Sequence, residues 1–476
     1  MSETSAAEKT APEDRVPIHE KFVLGIGGLP FLFGSQGLKT LAIPFYQMTL
    51  GINPATLGLA LALPRLWDAF TDPVMGKISD NFHSKWGRRR PFIFIGAILM
   101  GIAFGAIWMV PSTWSENAML SYFIVTMLIF YTCYTMFTVP IISLMYEMTP
   151  DYNERTRVTA FWTVFIKIAS SVYAWIFPLA QLLVTVGLAA TIVGGVRYVG
   201  WGVGILILGG LGILPAIFTK ERYFKKVEKQ KKVKLTSSFK ESFKNPAFTF
   251  LVLISLSIAA AGMLTSNLDY YLLVYYMNDG DIGVGSYWKG ILSTAYAVCG
   301  FVSIYPLVYI CNWLGKQKAM MLVFGMCIVG GFLKWFIYVP GNTWQIILDP
   351  IMCAPIYVGM GMISQSMMAD VCDDDEWKYG ARREGMFGAI YSWVTKFGYS
   401  FAFLVSGIAL NWVGFDVDLG GNQTPETFTG MRLCVAGGAV ISATVGLIIV
   451  CFYPITKKRA NETRKKLEER RGKITS

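Results

Sequence analysis

Long apolar runs separated by short polar stretches set the pattern of this chain. A helix that crosses a bilayer needs roughly 20 mostly apolar residues. Runs of that length recur twelve times, at 20–48, 56–79, 91–111, 118–145, 159–186, 198–218, 249–277, 288–311, 319–339, 344–368, 385–412 and 431–455. They predict an all-α membrane protein with twelve transmembrane helices. An even number of spans leaves both termini on one side of the membrane.

The order of runs and loops divides the chain in two. A polar tail, 1–19, precedes six spans over 20–218. A basic stretch, 219–248, leads to six more over 249–455, and a basic tail, 456–476, ends the chain. Two six-helix halves related by an axis along the membrane normal have this layout. The loops repeat in the same order. YEMTPDYNERTR (146–157) follows span 4 and ADVCDDDEWKYGARREG (369–385) follows span 10, each with acids first and arginines after. GKISDNFHSKWGRRRP (76–91) follows span 2, and NWLGKQK (312–318) stands in the matching place as a reduced copy.

Composition agrees with the pattern. Of 476 residues, 54% are hydrophobic and 15% charged, against about 25% charged in soluble domains. The formal net charge of +11 does not indicate nucleic acid, because the bases gather in alternate loops as the positive-inside rule requires. Lys85 and Arg88–Arg90 lie in one, KERYFKKVEKQKKVK (220–234) in another, and KKRANETRKKLEERRGK (457–473) in the tail. Arg197 and Lys289 are the exceptions on the opposite side. The first nineteen residues lack the pattern of a cleavable signal, so both termini are expected in the cytoplasm and the protein in the inner (plasma) membrane. The eight cysteines have no metal-ligand spacing and read as packing residues. Asn422-Gln423-Thr424 matches a glycosylation acceptor. With only His19 and His83, and no triad, metal box or phosphate loop, the sequence offers no enzyme chemistry and no cofactor site.

The candidate chemistry lies in RLWDAFTDP (65–73). Asp68 and Asp72, four apart, share one helix face. A charge at mid-membrane costs at least roughly 2.5 kcal/mol, so something positive must compensate. Three candidates stand in the sequence: a bound Na⁺ or H⁺, Arg65, and Lys396 in YSWVTKFGYS (391–400). A permanent ion pair with either base is the structural alternative. In the repeated loops, charge-assisted pairs would latch neighbouring helices at the cytoplasmic side. The candidates for this gate are Asp80, Arg88, Arg89, Glu147, Arg155, Asp370, Arg382 and Arg383; the alternative is ordinary positive-inside loops.

RLWDAFTDPVMGKISDNFHSKWGRRRP (65–91), VPIISLMYEMTPDYNERTR (139–157) and ADVCDDDEWKYGARREGMFGAIYSWVTKFG (369–398) form a set spread over both halves. With it the chain resembles the glycoside-pentoside-hexuronide:cation symporters, the melibiose-permease-like branch of the major facilitator superfamily. The resemblance implies a central cavity that opens alternately to each side, with sugar uptake driven by a cation. It implies that the paired acids bind the cation and that a span-4 threonine, Thr135 in CYTMFTVP, completes the site. Thr71 replaces the asparagine of the melibiose carrier, which leaves Na⁺ and H⁺ both open.

That carrier's three charged sugar anchors correspond to Leu32, Thr138, and Trp162 or Thr163, so a galactoside is not expected. Lys39 and Lys167 instead join Lys396 in the spans, and a lysine in hydrocarbon usually faces a cavity. The surplus of cations points to an acidic sugar such as a hexuronide, with Gln36, Thr138, Trp162 and Tyr391 as further contacts. Snorkelling or local pairing is the alternative for Lys39 and Lys167, and Lys334, near a span end, is expected to snorkel. Asp269 has no partner evident in the sequence. The expected partners are a small sugar or glycoside, a monovalent cation and the bilayer, and the expected state is a monomer. A lysolipid or other amphiphile carrier of the same fold, or a non-transporting sugar sensor, are the rival readings.

Overall fold

The computed structural model describes residues 15–149, 152–221, 242–379 and 384–471. A helical segment coincides with each of the twelve apolar runs. Helix α1 follows residues 18–49, its path interrupted by π-helical turns at Phe33–Gly37 and Ile43–Thr49. Then come α2 (Pro54–Asn81), α3 (Arg90–Ile107) and α4 (Glu116–Glu147). Helix α5 starts at Tyr152–Val172 and continues to Thr185, and α6 covers Ile192–Phe218. The second series is α7 (Pro246–Tyr271), α8 (Ile282–Leu314), α9 (Lys316–Ile337), α10 (Leu348–Tyr379), α11 (Glu384–Trp412) and α12 (Pro425–Cys451).

Among the described residues, nine of these segments are long and apolar enough to cross a membrane by length and composition. The others are α1, whose α-helical path is broken; α2, which carries Arg65, Asp68 and Asp72; and α7, where only Pro246–Ala260 counts as a shorter apolar helix. Most of the expected middle loop (222–241), the tail residues 1–14 and 472–476, and Arg382 and Arg383 lie outside the described residues.

The chain groups into two compact units, one of 1–45 with 67–231, the other of 46–66 with 232–476. In the first, α3 and α6 meet backbone to backbone: a Cβ on Gly101 would fall on the carbonyl oxygen of Gly204. Lipid supplies no hydrophobic drive between helices, so small residues that permit close approach carry the association. Arg197, one of the two exceptional bases, donates from Nη2 to the Val110 carbonyl at 2.8 Å and from Nε to that of Trp108 at 3.4 Å. It thereby satisfies carbonyls just beyond the end of α3, where a cation is favoured.

The second unit is built around Phe248, Met320, Phe324, Met367 and Phe387, all fully buried. Asparagine, aspartate and threonine caps start three of its helices. Asn245 accepts from Ala247 N at 3.0 Å, Asp281 from Val284 N at 3.0 Å, and Thr424 from Thr427 N at 3.2 Å. Such caps satisfy backbone donors that have no partner inside the helix. The expected basic tail forms α13 (Lys457–Arg471), held by a buried Leu467 and by Arg459, which pairs with Asp374 at 3.0 Å.

This unit corrects one expectation. Lys334 does not snorkel: it is 4% exposed and pairs with Asp349 at 2.5 Å. The phenols of Tyr296 and Tyr338 donate to the other oxygen of Asp349 at 2.9 and 3.1 Å. A paired, hydrogen-bonded lysine gains nothing by reaching for headgroups. The second exceptional base, Lys289, is the partner Asp269 lacked in the sequence, at 2.6 Å. Removing one member of a buried pair leaves the other charge uncompensated, at a cost of about 3–5 kcal/mol. Lys334→Met is therefore expected to lower the thermal unfolding midpoint of the detergent-solubilised protein, and Asp349→Asn in the same chain to recover much of the loss. An unchanged midpoint in the single variant would show that the pair contributes no stability.

Candidate functional site

From α2, which carries Asp68 and Asp72 one turn apart, four side-chain hydrogen bonds reach α4. The Thr135 hydroxyl lies 2.8 Å from Asp68 Oδ1 and 3.1 Å from Asp72 Oδ1, and Trp67 Nε1 donates to Thr132 Oγ1 at 3.0 Å. Thr71 Oγ1 is 3.2 Å from Thr135 Oγ1 and 3.2 Å from the Asp68 carbonyl. Asp68 and Thr135 are each 1% exposed, and Thr71 and Asp72 are half-buried. Two carboxylate oxygens and two hydroxyls thus gather around Thr135.

A hydroxyl has one hydrogen to give. When Thr135 donates to one carboxylate, its oxygen faces the other across a contact that only a proton or a cation makes attractive. Such a group of hard oxygens can hold a small cation or a proton. Among the described residues, no three His, Cys, Asp or Glu side chains gather as a metal cluster.

A second concentration of charge lies at the far end of α2. Arg88 Nη2 and Arg89 Nη2 both meet Glu147 Oε1 at 2.8 Å, and Arg89 also meets Asp80 Oδ1 at 2.5 Å and Ser79 Oγ at 2.6 Å. The loop before α3 is thereby tied to the ends of α2 and α4. Glu221, directly after α6, accepts the backbone N–H groups of Arg88, Arg89 and Arg90 at 2.9, 2.7 and 3.0 Å. Its carboxylate neutralises the donor-rich start of α3. Arg90 completes the knot by donating to the carbonyls of Ala216 at 2.6 Å and Ile217 at 2.9 Å.

The second unit repeats the arrangement in simpler form. Lys316, in the reduced copy of the loop, pairs with Asp370 of α10 at 2.6 Å and donates to the Ser366 carbonyl at 2.9 Å. Lys457 Nζ donates to the Asn312 and Trp313 carbonyls at 2.8 and 3.3 Å, fastening α13 to the end of α8. Arg155, expected at the gate, donates to the Thr149 carbonyl at 3.3 Å. The neighbouring acid Glu154 takes Lys21 at 2.5 Å, Val16 N at 3.0 Å and Arg157 at 3.0 Å. Burial pushes its carboxyl up, but these donors outweigh burial and hold it below the usual value. Neither Glu221 nor the Lys21–Glu154 pair was expected; the signal for Glu221 was an acid placed between an apolar span and a basic run.

The candidate substrate residues are distributed over both units. Gln36 lies half-buried in the first π-helical turn of α1, and Lys39 half-buried one turn later. Thr138 is buried on α4, one turn beyond Thr135. Trp162 packs edge-on against Phe31 with ring centres 5.6 Å apart, and Phe31 also receives the Tyr134 hydroxyl on its carbonyl at 2.7 Å. Lys167 is half-buried on α5, its carbonyl occupied by Ser170 and Ser171 at 2.7 and 3.1 Å. In the second unit, Tyr391 packs on the hydrophobic core and Lys396 lies half-buried on α11.

The architecture and the sequence both have known counterparts. The isoprimeverose transporter of Lactiplantibacillus pentosus is 25% identical, with 96% of this chain and 93% of that protein aligned. The glucuronide carrier protein homolog of Escherichia coli is 23% identical over 93% of each. The crystal structure of the nucleoside transporter NupG superposes with a TM-score of 0.63 at 16% identity, covering 91% of this chain and 99% of that one; this likeness shows the fold. The family model described as MFS/sugar transport protein matches residues 23–457, a span that includes the oxygen cluster and both charged knots, and the chain belongs to that family.

Proposed function

We propose that this protein is a cation-coupled symporter of a sugar or glycoside, with twelve membrane crossings in two six-helix halves that expose a shared cavity alternately to each side. The observation that carries the proposal is the Thr135 hydroxyl set between two carboxylates. Without a cation, the like charges of Asp68 and Asp72 repel. A bound Na⁺ or H⁺ relieves that repulsion and draws α2 and α4 together through the oxygens around Thr135. If the relieved arrangement binds sugar better, linkage requires that sugar also tighten the cation. Coupling needs no other device.

The knots at Arg88–Arg89–Glu147 and Lys316–Asp370 brace the helix ends of their own units, and we assign them to the cytoplasmic gate. Both termini then face the cytoplasm, the surrounding membrane is the inner (plasma) membrane, and one chain is the working unit. For the cargo we propose an acidic sugar. Lys39, Lys167 and Lys396 place three bases within apolar helices, and the name of the E. coli relative agrees with a glucuronide-like substrate. A carboxylate ligand would form charge-assisted hydrogen bonds with such bases, stronger than neutral ones. Gln36, Thr138, Trp162 and Tyr391 offer hydroxyl and ring-face contacts for the rest of the sugar.

Uptake into vesicles under imposed Na⁺ or H⁺ gradients tests the coupling. Asp72→Asn removes a charge while keeping the shape, and is expected to lower gradient-driven accumulation by roughly 5- to 150-fold, the range of typical coupling energies, at normal abundance in the membrane. Full accumulation in that variant would remove the cation role. The substrate class has its own test. Lys167→Met is expected to weaken uptake of acidic sugars about tenfold more than that of neutral ones, as loss of a hydrogen bond to a charged group implies; an equal loss for both would assign the lysine to packing.

A further inference from the structure

Gln47 lies in the π-helical stretch Ile43–Thr49, close to the end of α1, with 0% of its surface exposed. Neither its amide oxygen nor its amide nitrogen has a hydrogen-bond partner among the described residues. Phe45 and Tyr46 beside it are equally buried. Orphaned amides in apolar surroundings are rare and raise the energy of the state that buries them. π-helical turns are themselves concentrated at functional sites.

The chain just beyond Gln47 enters a tight seam. In the unit that holds residues 46–66 together with α11, a Cβ on Gly407 would fall on the Pro54 carbonyl oxygen, and one on Gly58 would come within 2.9 Å of the Phe403 carbonyl oxygen. Backbones at this distance leave no room for water. At the edge of the seam, Asn411 Nδ2 donates to Asn53 Oδ1 at 3.0 Å. The seam lies at the start of α2.

We propose that the amide of Gln47 opposes this seam. While 53–58 is packed against α11 the amide is buried without partners; when the two part, water reaches it and its hydrogen bonds are made. The residue therefore raises the closed arrangement in energy relative to the open one and sets how often the seam opens. On the transporter reading, which this inference extends, the seam is the gate at the end of the helices opposite the arginine knot, and Gln47 keeps it from closing permanently.

Hydrogen–deuterium exchange of the full chain in lipid nanodiscs, without sugar or ion gradient, reads this directly. Gln47→Met keeps the size of the side chain and removes the amide. Peptides covering 50–62 and 403–413 are expected to exchange about tenfold more slowly, the size that satisfying one buried polar group implies. Gln47→Leu is expected to give the same sign, and Gly407→Leu, which wedges the seam, faster exchange. Peptides of α4 serve as the folding control and should not change. Unchanged or faster exchange of the seam peptides in Gln47→Met would overturn the inference. Because no transport is measured, failure of the uptake experiments and failure of this one are distinguishable.

Discussion

A charge placed among apolar helices must be answered within the protein, because the surrounding hydrocarbon offers neither water nor counter-ion. The structure answers it in two ways. Lys334 with Asp349 and Lys289 with Asp269 are direct ion pairs inside the second unit, and Asp349 is further enclosed by two phenols. Their donors and acceptors match, so they hold helices in place. Asp68 and Asp72 also meet a neutral group, the Thr135 hydroxyl, whose single hydrogen serves one of them at a time.

The same constraint governs the helix ends. Each unit fastens a loop to a neighbouring helix through a base from the even-numbered connection and an acid further along: Arg88 and Arg89 with Glu147, and Lys316 with Asp370. The first unit adds Glu221 across the start of α3 and Arg90 on the end of α6. The second relies on Lys457 to tie the last helix to α8. The repeat is thus conserved in its electrostatic logic rather than in its residues. Arginine in one copy and lysine in the other also differ in reach, because a planar guanidinium can serve Glu147, Asp80 and Ser79 together while an ammonium acts as a point charge.

How much of this was legible in the sequence follows the range of the interaction. Apolar runs report on helices because hydropathy is a local property, and a helix stands at each predicted stretch. The pairing of Asp68 with Asp72 was legible because residues four apart share a face, and Thr135 was supplied by motif resemblance. The burial of Lys334 was misjudged because its partner, Asp349, lies fifteen residues on across a turn, where periodicity says nothing about contact. Asp269 found its base in Lys289, which charge-counting had set aside as an anomaly. Glu221 and Gln47 illustrate the same limit in opposite senses. One gains its role from three backbone donors more than 130 positions away in sequence; the other is singled out by the hydrogen bonds it fails to make.

That failure matters for how a seam can work. Backbone packing at Gly58 and Gly407 gains contact with little side-chain entropy to lose, and without opposition it would favour the closed arrangement strongly. An opposing energy of one buried amide is comparable to typical allosteric coupling energies, so a ligand of ordinary affinity can shift the balance. A larger opposing term, such as an unpaired charge, would prevent closure; none would leave nothing for a ligand to overcome. On the proposed reading, the acids and the seam residues 54–58 belong to one helix, α2, so a shift of that helix would be felt at the seam.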